Sequence, residues 1–121
     1  MNAKGAFGLQ GERIAEKFLR EKGLKIIARR FRTRSGEIDL IAMDGDEVVF
    51  VEVKARHSRR YGAPEESVTY TKRTHLRTVA FAYLAAKHLT RARFRIDVIA
   101  VELGSDGLPH VKHFRSAVGE D

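Results

Sequence analysis

Ser35-Gly36-Glu37-Ile38-Asp39-Leu40-Ile41-Ala42-Met43-Asp44-Gly45-Asp46-Glu47-Val48-Val49-Phe50-Val51-Glu52-Val53-Lys54-Ala55-Arg56 is the stretch on which the fold turns. Two apolar runs flank an Asp-Gly pair, the short-range signature of a β-hairpin. The runs also carry Glu37, Asp39, Glu52 and Lys54. Charges inside buried strands are costly unless they are paired or bind an ion. That conflict is the main functional clue in the chain.

Side chains alternate along a strand, so the faces follow from the turn. Glu37, Asp39, Ile41 and Met43 share one face, as do Val48, Phe50, Glu52 and Lys54. With Asp44-Gly45 as the turn, Glu37 lies opposite Glu52. With Gly45-Asp46 as the turn, Asp39 lies opposite Glu52. Both put the acids and the lysine on one face, whereas a three-residue turn separates them. Ile38, Leu40, Ala42, Val49, Val51 and Val53 then form an apolar face suited to packing under helices.

Outward from the hairpin, the composition sets bounds. The 121 residues suit one domain with one core. Lys plus Arg is 23 against 16 Asp plus Glu, a net charge of +7, which points to a polyanionic partner or to a charge kept for solubility. With no cysteine, disulfides and Cys-based zinc sites are excluded. No apolar run is long enough to span a bilayer and the N-terminus shows no apolar signal region, so a cytoplasmic chain without membrane contact is expected.

Ahead of the hairpin, a helix is expected from about Gly8 to Lys22, after a tail over Met1–Phe7. Ile14, Ala15, Phe18 and Leu19 form its stripe and Gly23 its stop. Glu12 lies at the stripe's edge, where a first-turn carboxylate favoured by the helix dipole is the simpler reading. Leu24–Ala28 is expected as a strand. Arg29, Arg30, Arg32 and Arg34 surround Phe31, which reads either as phosphate contacts beside a stacking ring or as a solvated strand end with Phe31 in the core. Gly36 suits a tight entry into the hairpin.

Beyond the hairpin, Ala55–Pro64 reads as a basic loop carrying Arg56, Arg59 and Arg60, either a guide for a nucleic-acid backbone or a soluble connection. A second helix is expected from about Thr71, a candidate N-cap, to His88. Leu76, Val79, Ala80, Tyr83, Leu84 and Ala86 form its buried side. Lys72 and Arg73 in its first turn oppose the dipole, which a bound phosphate or solvent would relieve. Phe94–Glu102 is expected as a strand with an Arg95–Asp97 ion pair. Gly104–Gly107 reads as a turn and His110–Phe114 as an edge strand, followed by a tail over 115–121. The order α-β-β-β-α-β-β describes a single α/β domain, a mixed central sheet flanked by helices.

Converging carboxylates repel and call for a cation, and oxygen-only ligands suit Mg²⁺ or Mn²⁺. A lysine two residues beyond one ligand can hold a water nucleophile and stabilise charge on a phosphate. Asp39, Glu52 and Lys54 therefore form a candidate catalytic constellation for phosphodiester hydrolysis. The alternative is a salt-bridge network of the same residues. The sequence contains no P-loop, no G-x-G-x-x-G and no G-x-S-x-G.

Gly11–Leu19 (GERIAEKFL), Gly36–Ala42 (GEIDLIA), Asp44-Gly45, Val49–Arg56 (VFVEVKAR) and Arg95–Val101 (RIDVIAV) resemble the YraN-like family of small bacterial proteins. That family is grouped with the restriction-endonuclease-like superfamily and is similar to archaeal Holliday-junction resolvases. The resemblance implies a metal-dependent endonuclease acting on DNA or another nucleic acid, on branched or structured DNA in particular. It implies Glu12, Asp39 and Glu52 as metal ligands, the Val53 carbonyl as a further one, Lys54 as the group that positions the nucleophile, and Glu37 as accessory. Arg30, Arg32, Arg34, Arg56, Arg59, Arg60, Lys72 and Arg73 are the candidate nucleic-acid contacts. Paired cuts in a junction would call for a homodimer. The sequence departs from the pattern at Ile38, where many superfamily members carry proline, and at Arg29-Arg30, where the family commonly has Arg-Asn. A non-catalytic nucleic-acid-binding module of the same fold is the alternative.

Overall fold

The computed structural model describes residues 5–57, 70–104 and 106–117. Arg59, Arg60 and most of the basic loop lie outside the described residues, as do Ser105 and residues 118–121. The elements run α1 (Ala6–Glu21), β1 (Lys25–Thr33), β2 (Gly36–Asp44), β3 (Glu47–Arg56), α2 (Tyr70–Ala86), β4 (Phe94–Leu103) and β5 (Pro109–Phe114). This is the expected α-β-β-β-α-β-β order. The strands form one five-stranded sheet in sequence order, antiparallel except for the parallel β3–β4 pair, with β5 at an edge.

Each face of the sheet is covered by a helix. On one, Ala15 and Leu19 of α1 pack on Leu40, Ala42, Val49, Val51, Val53, Ile99 and Val101. On the other, Leu76, Val79, Ala80, Tyr83 and Leu84 of α2 pack on Ile38, Ile41, Val48, Phe50, Ile96 and Val98. Ala86 does not join this core and is exposed.

Several boundaries differ from expectation for identifiable reasons. Helix α1 begins at Ala6 because Phe7, expected in a tail, stacks on His57 just beyond β3 with ring centroids 4.2 Å apart. Glu12 is therefore past the first turn and 3% exposed, so the dipole reading of this residue fails. Strand β1 continues to Thr33, because its pairing with β2 runs on to Thr33↔Gly36. Gly36 takes φ 143 in the turn that joins them. Ala55 and Arg56 belong to β3, paired with Val101 and Glu102, rather than to a loop. Thr71 is inside α2 and so does not cap it. The end of α2 comes at Ala86, where His88 adopts φ 58 and Leu89 N–H donates back to Leu84 O at 2.7 Å. Residues 115–117, expected in a tail, are anchored: Ser116 N–H donates to Asp97 (2.9 Å) and Ala117 packs on the core.

Gly11 fixes the seating of α1. A Cβ there would lie 2.7 Å from Ala55 Cβ on β3, closer than side chains tolerate. The glycine thus brings the helix turn that carries Glu12 against the end of β3.

The α1 face also buries charge. Asp97 is fully buried and accepts from Arg95 Nε (3.1 Å), His113 Nε2 (2.7 Å) and Ser116 N–H. Lys22 Nζ lies 3.2 Å from His113 Nδ1, and an ammonium only donates, so the imidazole proton sits on Nε2 and points at Asp97. Arg95 also reaches Asp44 (3.1 Å) and Glu47 (2.8 Å). The expected Arg95–Asp97 pair is thus the centre of a larger network that ties β4 to the β2–β3 hairpin and to β5.

Two predictions follow from these contacts. Gly11→Val should lower stability by about 1–3 kcal/mol in urea unfolding through overpacking, and a wild-type midpoint would show that α1 can shift off β3. Burial alone would raise the Asp97 carboxyl, but the His113 ring, the Ser116 amide and the Arg95 guanidinium together hold it below the usual range. A lowered folded value makes this stabilisation complete above about pH 4 and lost as acid titrates the carboxylate. Asp97→Asn should cost about 3–5 kcal/mol at neutral pH, with the gap to wild type narrowing below about pH 4. A gap independent of pH would exclude ionised Asp97 as its source.

Candidate metal and nucleic-acid site

The candidate site forms where β1 and β2 change phase near their far ends. Along β2, Leu40 and Ala42 face α1 while Ile41 faces α2. Ile38, which strict alternation groups with Leu40, instead joins the α2 side. Its β1 partner Phe31 does the same relative to Arg29, whose guanidinium reaches Glu16 on α1. The slip therefore falls at Arg30 and Asp39, and Arg30 takes the left-handed φ of 50 that it requires. For a non-glycine residue that conformation costs about 1–2 kcal/mol.

The hairpin turn is Gly45-Asp46, with Asp44 opposite Glu47, so the register directs Asp39 towards Glu52. Regular β2–β3 pairing ends at Leu40↔Val51. Beyond it, Val53 N–H donates to Asp39 Oδ2 at 2.7 Å. This short, charge-assisted bond holds the Asp39 carboxylate at the amide between Glu52 and Lys54. Asp39 is 3% and Glu52 7% exposed.

Lysines meet these acids from two elements. Lys54 Nζ lies 3.3 Å and Lys72 Nζ 2.6 Å from the same oxygen, Glu52 Oε2. Burial lowers Lys54, and the adjacent Lys72 ammonium adds to this against the pull of Glu52, so Lys54 sits below the ordinary lysine range. Burial acts on Lys72 in the same direction, but Glu52 and Asp39 outweigh it and hold Lys72 above that range. Glu37 lies to one side, 3.7 Å from Arg32, in a cleft of about 310 Å³ shared with Ser35, Gly36, Thr71, Lys72 and His75.

Glu12 approaches from the helix on the opposite face. Its Oε1 accepts from Arg30 at 2.8 Å. The structure thus gathers Asp39, Glu52 and Lys54 and leaves Glu12 with Arg30. As a metal centre the donor chemistry fits a hard divalent ion: two buried carboxylates on adjacent strands, with oxygen donors alone. Among the described residues, however, no three His, Cys, Asp or Glu side chains are gathered as a ready-made metal site.

The candidate nucleic-acid contacts divide. Phe31 is core, edge-on to Tyr83 at 5.1 Å, and so is withdrawn from base stacking. Arg30 and Arg32 are tied to acids, and Arg34 is exposed in the β1–β2 turn. Arg56 and Arg73 are half-buried near the ends of β3 and α2 that border the acids. Lys72, expected to contact phosphate, is part of the acidic cluster. Its signal was present in the sequence, since it lies four residues before Leu76 and seven before Val79, on the buried stripe of α2.

A family model described as Uncharacterised protein family UPF0102 matches residues 11–101. The chain belongs to the UPF0102 family. A UPF0102 protein of Rhodococcus opacus is 44% identical over 114 residues, covering 93% of this chain and 95% of the relative. One from Symbiobacterium thermophilum is 52% identical over 100 residues, 83% of this chain and 85% of the relative. Another, from Pelotomaculum thermopropionicum, is 41% identical over 117 residues, 96% and 98%. The UPF0102 match contains the whole acid–lysine cluster and Asp97, and it stops before β5 and His113. No described helix is long and apolar enough to cross a membrane.

Asp39→Ala should cost about 1–3 kcal/mol in urea unfolding, because the buried Val53 N–H loses its acceptor. Asp39→Asn, which keeps an oxygen there, should cost less. Equal stability of all three chains would show that the Asp39–Val53 bond does not hold the strand ends together.

Proposed function

We propose that this chain is a metal-dependent endonuclease of restriction-endonuclease-like type that hydrolyses phosphodiester bonds in DNA, branched or structured DNA in particular. The observation that carries this reading is the Asp39–Val53 hydrogen bond, which seats one carboxylate between Glu52 and Lys54 at the point where β2 leaves β3. The net charge of +7 and the basic residues around the cluster suit a polyanionic substrate.

Asp39 and Glu52 would hold Mg²⁺ or Mn²⁺, with Glu12, whose Oε1 accepts from Arg30, as a further candidate ligand. The bound ion would supply a polarised water and neutralise charge on the phosphate. Lys54, fixed on its strand beside Glu52, would donate to that water or to a non-bridging phosphate oxygen as negative charge develops. Arg56 and Arg73 would contact flanking phosphates. A four-way junction presents two symmetry-related strands, so paired incision would require a homodimer.

A second reading, a nucleic-acid-binding module without catalysis, is favoured by Lys72, which already neutralises Glu52. The two are separated by incubating the protein with Mn²⁺ and a labelled four-way junction or linear duplex. Nicking that is removed by chelator and reduced at least about 100-fold in Lys54→Met, with junction binding retained, is the expected result. Binding that weakens steeply with salt, without incision of either DNA under any metal, would establish the module instead.

A further inference from the structure

The Lys72–Glu52 contact has a role to play within the proposed metal chemistry. Lys72 Nζ is 2.6 Å from Glu52 Oε2, the charge of Asp39 acts on it as well, and Lys54 Nζ is 3.3 Å from the same Glu52 oxygen. Two lysines thus meet on one Glu52 oxygen, beside Asp39, before any ion arrives. A divalent cation held by Glu52 and Asp39 would compete with the lysines for the Glu52 oxygen and would repel them. The lysine that yields is the less anchored one. Lys54 is anchored on β3 with its side chain 21% exposed, whereas that of Lys72 is 35% exposed and comes from the first turn of α2.

Lys72 also has somewhere to go. It forms part of the wall of the cleft of about 310 Å³ between the β1–β2 turn and α2. Glu37 is the acid in that cleft, Thr71 and Ser35 are its hydroxyl donors, and His75 lies one turn along the helix. A phosphate entering there would meet an ammonium on a flexible stem, which exchanges partners more readily than a planar guanidinium.

Resting on the metal-nuclease reading, we infer that Lys72 is a resident counter-charge: it occupies the carboxylates in the free protein and moves to the substrate phosphate when metal and nucleic acid bind together. Lys72 is then a positioning residue that couples the two ligands. Each raises the affinity of the other, because each removes the competitor or the partner that the other must displace.

The test is calorimetric titration of Mn²⁺ into the full-length wild type, Lys72→Gln, Lys72→Met and Lys72→Arg, without nucleic acid and with saturating duplex DNA, after circular dichroism has confirmed folding. Lys72→Gln keeps a hydrogen-bonding side chain beside Glu52, so it serves if Lys72→Met fails to fold. Without DNA, the neutral variants should bind Mn²⁺ about tenfold or more tightly than wild type, while Lys72→Arg stays weak. DNA should raise Mn²⁺ affinity in wild type and not in Lys72→Gln. Unchanged or weaker Mn²⁺ binding by the neutral variants, with wild type binding measurably, overturns the counter-charge role alone. No Mn²⁺ binding by any variant, with or without DNA, overturns this role and the metal-nuclease reading together.

Discussion

Two carboxylates buried side by side at the end of a sheet are the constraint from which the rest of this architecture can be understood. Asp39 and Glu52 cannot stay ionised there without compensation. The answers come from two elements: the Val53 amide and Lys54 from β3, and Lys72 from α2, which lies across this face of the sheet. Even the left-handed Arg30 belongs to this account, because the phase slip it permits turns Asp39 out of the regular ladder. Local backbone energy is spent so that a side chain, rather than the main chain, accepts from β3.

The molecule handles the buried Asp97 carboxylate differently. Asp97 is enclosed by Arg95, His113 and the Ser116 amide, and Arg95 is shared in turn with Asp44 and Glu47. Every partner there is held by the sheet or by the turn after β5, so the network is a fastening. The Asp39–Glu52 cluster relies on a lysine at the start of a helix, next to an open cleft. The first network is closed on every side, and the second borders open space.

Much of this was legible in the sequence because it depends on short-range patterns. The Asp-Gly turn, the two apolar runs and the stripes of both helices gave the element order, and the Arg95–Asp97 spacing on one strand face gave the ion pair. The sequence left the turn open between two two-residue registers and a three-residue one, since Asp44, Gly45 and Asp46 all suit a tight turn, and the structure selects Gly45-Asp46. Alternation misassigned Ile38 because no local signal marks a left-handed arginine on the neighbouring strand. Glu12 was misread through the helix start, which a contact between Phe7 and His57, distant in sequence, displaces. Lys72 escapes a local reading for a related reason: its charge opposes the helix dipole, while its place on the buried stripe carries it to Glu52 only once α2 is docked.

The order of the strands has a kinetic consequence. Strands β1, β2 and β3 are joined by tight turns and pair in sequence, whereas β3 meets β4 only after the chain has crossed over through α2. Closing that longer connection carries the greater entropy loss, so the three-stranded meander is favoured to form first. Asp39, Glu52 and Lys54 all lie within the meander, and Lys72 arrives with the crossover. On that order the acids come together before their second counter-charge, and the attraction that holds Lys72 to Glu52 would also favour docking of α2.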